Sequence, residues 1–156
     1  MDRDVIARKL EQLRRHVARV ESKKPFGIEA LAADADLRDV VVFNLIPSVE
    51  VCVDVGMHIL SESSSPPPET MSEVFDRLFE LPAFSSRDMV AGLARRLRKA
   101  VGFRNVAVRG YAALDLAAVS SACEDGLEDL RQFAAAIAEK YPTPKGQGTA
   151  VFRLLA

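Results

Sequence analysis

Apolar residues recur near the start of the chain at alternating steps of three and four. Ile6, Leu10, Leu13, Val17 and Val20 form one stripe, with Glu11, Gln12, Arg14, Arg15 and Arg19 between them. That is the period of an amphipathic helix with one face turned inward. Pro25 and Gly27 interrupt the pattern, so the helix should end near Lys23–Lys24.

The stretch LRDVVVFNLIPSVEVCVDVGMHIL is apolar almost all round and runs to about Leu60. A helix without a wide polar face belongs at the centre of a fold. Asp34 or Asp36 is placed to cap it. Pro47 lies inside it, and its missing amide predicts a kink or a break into two pieces. SESSSPPPET then reads as a surface loop, with polyproline character at Pro66–Pro68. Thr70 and Glu73 have capping-box spacing for a short helix that turns Met71, Val74, Phe75, Leu78 and Phe79 inward, and Pro82 closes it. A fourth helix should start at Ser85 or Ser86, with Met89, Leu93, Leu97 and Ala100 at helical spacing. Asp115 can cap the last long helix. That helix carries Val119, Cys123, Leu127, Leu130, Ala134 and Ile137 and ends near Tyr141–Pro142.

These elements predict an all-α antiparallel bundle of about five helices. It forms one domain over residues 1–141, followed by a C-terminal tail at 142–156 that is either frayed or docked on a neighbouring surface. Two of the helices are apolar over more than one face. That surplus predicts a helix-mediated homodimer.

Composition narrows the class. Hydrophobic residues make up 49% and charged residues 28% of the 156, which is globular rather than disordered. The net charge of −1 argues against a protein that coats nucleic acid non-specifically, but leaves room for a local basic patch. Cys52 and Cys123 have no CxxC spacing and read as small core residues in a reducing compartment. No metal site and no cofactor is expected. The N-terminus is too charged for a signal peptide, and no apolar run approaches the roughly 20 residues that span a bilayer. The expectation is a cytoplasmic protein with no membrane partner.

Candidate chemistry begins with charge. Between Arg87 and Leu114 the only acid is Asp88, against Arg87, Arg95, Arg96, Arg98, Lys99, Arg104 and Arg109. Phosphate is the common partner of such a surface, so Arg95, Arg96, Arg98 and Lys99 are candidate RNA-binding residues. A solvated helix face is the simpler reading of those four. Arg104 and Arg109 differ, because they sit in the apolar stretch VGFRNVAVRGY. An arginine there needs a carboxylate or a cleft. On a continuous helix the two would stand about 140° apart, and Gly110 weakens the continuation. Asp54 and His58, four apart on the central helix, are polar within an apolar surface. The simplest arrangement sets Asp54 against Arg104 with His58 nearby as a satisfied core histidine.

These residues resemble the HEPN proteins, within them the HepT branch. Three stretches carry the likeness: RDVVVFNLIPSVEVCVDVGMHIL with its C-x-D-x-x-x-H ending, MSEVFDRLFELPAFSSRDMVAGLARRLRKAV, and GFRNVAVRGY. The third matches a family pattern F-R-N-x-x-V-H-x-Y. Together they cover most of the chain from Leu37 to Leu130; Pro47 and the tail after Pro142 depart from the pattern. The resemblance implies a dimeric helical bundle that cleaves RNA without metal in a cleft between subunits, with tRNA as the first candidate substrate. It also implies an MntA-like nucleotidyltransferase antitoxin that transfers AMP from ATP to Tyr111. On that likeness Arg104 binds phosphate, Asn105 orients a neighbouring group, and Asp54 holds Arg104. The motif histidine falls on Arg109. A guanidinium stays protonated and cannot serve as a general base. A histidine codon becomes an arginine codon by one base change, and the rest of the motif is intact, so an inactivated toxin is favoured over a naturally non-catalytic member. The alternative function is a non-catalytic helical dimer that binds a nucleotidyltransferase or RNA.

Overall fold

The computed structural model of the protein describes residues 2–24, 27–84, 90–110 and 114–142. Every regular element among them is helical: α1 (Arg3–Glu21), α2 (Ile28–Ala33), α3 (Ala35–Ser61), α4 (Met71–Glu80), α5 (Leu93–Arg109), α6 (Leu116–Ser121) and α7 (Leu127–Lys140). A π-helical turn, Ala122–Gly126, joins α6 to α7.

The apolar stripe of α1 is buried as its spacing predicts, and it lies along α3. Asp2 caps α1, its carboxylate accepting from the amides of Asp4 and Val5. The short α2 was not anticipated. It presents only Leu31 to the core, too few apolar positions to show a period. Arg38 Nη1 holds its C-terminal end by donating to the carbonyls of Leu31 and Ala32, at 2.8 and 2.9 Å.

α3 is the centre of the bundle, with α1, α2, α4, α5 and α7 packed on it. Asp34 is its N-cap, accepting from the amide of Leu37. Pro47 does not break it: the helix runs as one element on both sides. By length and composition α3 is also apolar enough to cross a membrane, with a mean hydropathy of 1.8 over its most apolar window. The sequence reading found no such run. In the fold 56% of that window is buried, the apolar surface being taken up by the surrounding helices.

α4 crosses close to α3 at Gly56, where an added Cβ would collide with Cγ1 of Val74. Thr70 caps α4 by accepting from the Glu73 amide at 3.2 Å. The Glu73 carboxylate reaches back to accept from the amide of Glu69 at 2.6 Å. Phe75, Phe79 and Phe84 form an edge-to-face chain with Phe133 of α7, at centroid separations of 5.4 to 6.4 Å. Each such pair contributes roughly 0.5–1.5 kcal/mol beyond area burial.

The expected start of the fourth helix at Ser85 or Ser86, and its inward Met89, lie outside the described residues. α5 itself starts only at Leu93, because Gly92 has a left-handed φ of 72° that no helix interior accepts. Leu93, Leu97 and Val101 are buried along it. The last predicted helix is found as α6, the π turn and α7, capped by Asp115. Val119, Cys123 and Leu127 are spaced four and four, wider than an α-helical turn. The π turn absorbs the excess and keeps all three buried.

Candidate functional site

The RN motif lies on the last turns of α5, where the helix passes α3. Arg104 projects from the buried side of α5, yet its side chain keeps 24% exposure. Its Nε and Nη2 donate to Oε1 of Glu50 on α3, at 3.0 and 2.7 Å. Its Nη1 donates to Oδ1 of Asn105 at 3.2 Å. A guanidinium has five N–H donors. Three are used here, and the remaining two are available to an anion from the open side.

Asp54 does not hold Arg104, contrary to expectation. It is about half exposed and accepts from Nζ of Lys9 on α1 at 2.8 Å. The crossing of α3 and α5 brings Arg104 level with the helical turn before Asp54. At that level Glu50, one methylene longer, spans the gap. Glu50 carries no motif of its own in SVEVC, so it had no more weight in the sequence than any helix-surface carboxylate. A four-residue step back from Asp54 would have found it.

His58 is not the satisfied core histidine that was expected. Its Nε2 is buried and has no hydrogen-bond partner. The other histidine, His16, is paired, its Nδ1 lying 3.0 Å from Asn44 Oδ1.

α5 continues through Arg109, and Gly110 terminates it. Arg109 is exposed and makes no ion pair among the described residues. Arg104 and Arg109 therefore occupy different faces, about 140° apart by helical pitch. Tyr111 lies outside the described residues.

The basic run is partly neutralised. Arg96 Nε donates to Asp129 at 2.7 Å and its Nη2 to Gln132, also at 2.7 Å. Arg98 pairs with Asp76 at 3.3 Å. Of the four candidate RNA-binding residues, Arg95 and Lys99 remain exposed without an ion pair among the described residues.

The motif borders uncovered apolar surface. On α3, Phe43, Glu50 and Met57 are seven residues apart and share one stripe. Phe43 is 71% and Met57 42% exposed, while on α5 Val108, one turn on from Arg104, is 49% exposed. Helices in a folded monomer rarely leave so many large apolar groups together in water. The site residues thus lie within a face that a partner surface would complete.

Comparison with known proteins agrees with this architecture. A family model described as Ribonuclease HepT-like matches residues 6–137. The chain is similar to a protein from Shewanella oneidensis named mRNA nuclease HepT. The two are 29% identical over 130 residues, which are 83% of this chain and 93% of the relative. Two solved structures share the fold. One is a toxin–antitoxin complex with AMP-PNP, at a TM-score of 0.74 and 28% identity, covering 88% of this chain and 99% of the other. The second is the tri-AMPylated Shewanella oneidensis HEPN toxin in complex with an MNT antitoxin. Its TM-score is 0.77 at 29% identity, with 89% of this chain and 99% of the other covered.

Proposed function

The chain belongs to the HepT-like ribonuclease family of HEPN toxins, and on that premise we propose that it is a metal-independent endoribonuclease toxin whose motif is disarmed by Arg109. The observation that carries the reading is the fixed Arg104. Glu50 and Asn105 hold its guanidinium with two N–H groups unused, beside an uncovered apolar stripe. A second copy packed on that stripe would bring two such arginines to one cleft and exclude water from it.

In that cleft Arg104 would bind the scissile phosphate and stabilise the charge that builds on it. A histidine at position 109 would remove the proton of the 2′-hydroxyl or deliver one to the leaving oxygen. Arg109 can do neither, though it can bind phosphate. Loss of general acid–base help costs on the order of 10² to 10⁴ in rate. Arg95 and Lys99 would extend the phosphate contacts beyond the cleft. Asp54 becomes a surface partner of Lys9 rather than part of the machinery.

The neutralising partner would be an MntA-like nucleotidyltransferase that transfers AMP from ATP to the phenolic oxygen of Tyr111 and releases pyrophosphate. The adduct would add a bulky anion to the motif, which would repel or block RNA phosphate. Such a pair would work in the cytoplasm. RNA is the substrate class; tRNA and messenger RNA are the two to try first. A second reading, a non-catalytic dimer that binds the antitoxin or RNA, is favoured by Arg109 alone.

Expression separates the two. Arg109→His should arrest growth, and co-expression of the antitoxin should relieve the arrest while adding AMP mass at Tyr111. Harmless expression of Arg109→His together with a stable antitoxin complex would favour the second reading. An unchanged mass with an active antitoxin would remove the modification of Tyr111.

A further inference from the structure

A groove of about 720 Å³ runs between α5 and the α6–α7 rod. Phe103 and Val106 supply apolar floor from α5; Asp125 and Glu128 form an acidic rim on the other side, facing Lys99. The Arg96–Asp129 ion pair lines one end. Asp125 is exposed and has no ion pair among the described residues. This groove is distinct from the Arg104 face: by helical pitch its α5 residues centre about a third of a turn away.

The family match ends at residue 137, whereas the chain continues to Ala156. Residues 143–156 carry Lys145 and Arg153 and no acidic side chain, and they end in VFRLLA. A cationic segment with an apolar end is complementary to an apolar groove with an acidic rim. We propose that Val151–Ala156 of the same chain docks in this groove. In an extended segment Phe152 and Leu154 would share one side, toward the floor of Phe103 and Val106, and Arg153 the other, toward Asp125 and Glu128.

The reach permits it. Tyr141 is anchored against Phe84 with ring centroids 6.4 Å apart, which fixes where the extension begins. From Tyr141 back to Asp129 along α7 is about 18 Å at the helical rise. Residues 143–150 can span roughly 26 Å when extended. The apolar end thus arrives at the near edge of the groove with slack to spare. This inference does not depend on the proposed activity.

Disulfide trapping in the full-length chain tests it. Ser121→Cys places a thiol at the groove and Leu155→Cys places one in the tail. Cys52 and Cys123 do not compete, because burial pushes both thiols up, that of Cys123 to about 12. Docking should make the bond form within one chain about tenfold faster than in the same pair carrying Phe152→Ser, since docking raises effective concentration above that of a free tether. Both tail substitutions lie beyond the family match, so the bundle keeps its core. Equal rates with and without Phe152 would overturn the proposal. So would a bond formed only between two chains, which would assign the groove to another copy.

Discussion

At the scale of single residues, the pairing of Arg104 decides most. Glu50 fixes the guanidinium with two hydrogen bonds from one side, but the pair is partly open to solvent, with exposures of 24% and 39%. Its worth to stability is therefore small, about 0–1 kcal/mol, and its effect should appear in function. In an Arg109→His background, Glu50→Gln should slow RNA cleavage while shifting the unfolding midpoint little. Asp54→Asn should leave cleavage unchanged. Equal losses from both, read as single-turnover rates, would return Asp54 to the site. The sequence showed that Arg104 needs a carboxylate, since an arginine among Val101, Phe103, Val106 and Val108 must be paired. It could not show which one, because that depends on where two helices cross. Arg109 was legible in full: its chemistry follows from residue type, and the intact helix up to Arg109 adds only its exposure.

At the scale of elements, periodicity carried most of the fold. The buried positions of α1 and of the last helix are those the spacing selects. The failures have local causes. α2 is too short to show a period. The start of α5 is set by the left-handed Gly92, a backbone state that a helical pattern of side chains does not reveal. Of the kink or break expected at Pro47, the break into two pieces does not occur, and α3 continues on both sides. The close approach of α3 and α4 at Gly56 was also invisible beforehand. Val74 there is buried and β-branched, so it cannot swing away from an added methyl group. Gly56→Ala should therefore destabilise the protein by about 1–3 kcal/mol despite the better helix propensity of alanine. Denaturant unfolding measures this, and a gain in stability would contradict the packing described.

At the scale of the molecule, acid stability follows from the surface carboxylates. Hydrogen bonding from Arg14 holds Glu11 below the ordinary glutamate value of 4.5. The amide of Glu69 and then the side chain of Arg77 do the same for Glu73. A folded pKa below the unfolded one gives stability that is present above pH about 4.5 and lost as pH falls through the folded value. The contribution of these pairs to the thermal midpoint should thus decline as pH falls below about 4.5. A midpoint that rises on acidification would contradict these pairings. On the same scale, a second copy seated on the uncovered stripe of Phe43 and Met57, as proposed, would complete the site, so on that proposal activity should depend on dimerisation.

The central claim is that a ribonuclease site survives here with one group missing. Its most direct test is cleavage of a labelled RNA by the full-length chain and by Arg109→His, both in the presence of a metal chelator. The account predicts that Arg109→His cuts on the order of 10² to 10⁴ faster than the chain as it stands, and that Arg104→Ala in the same background abolishes the gain. No cleavage by Arg109→His, with the variant folded and dimeric, would contradict it.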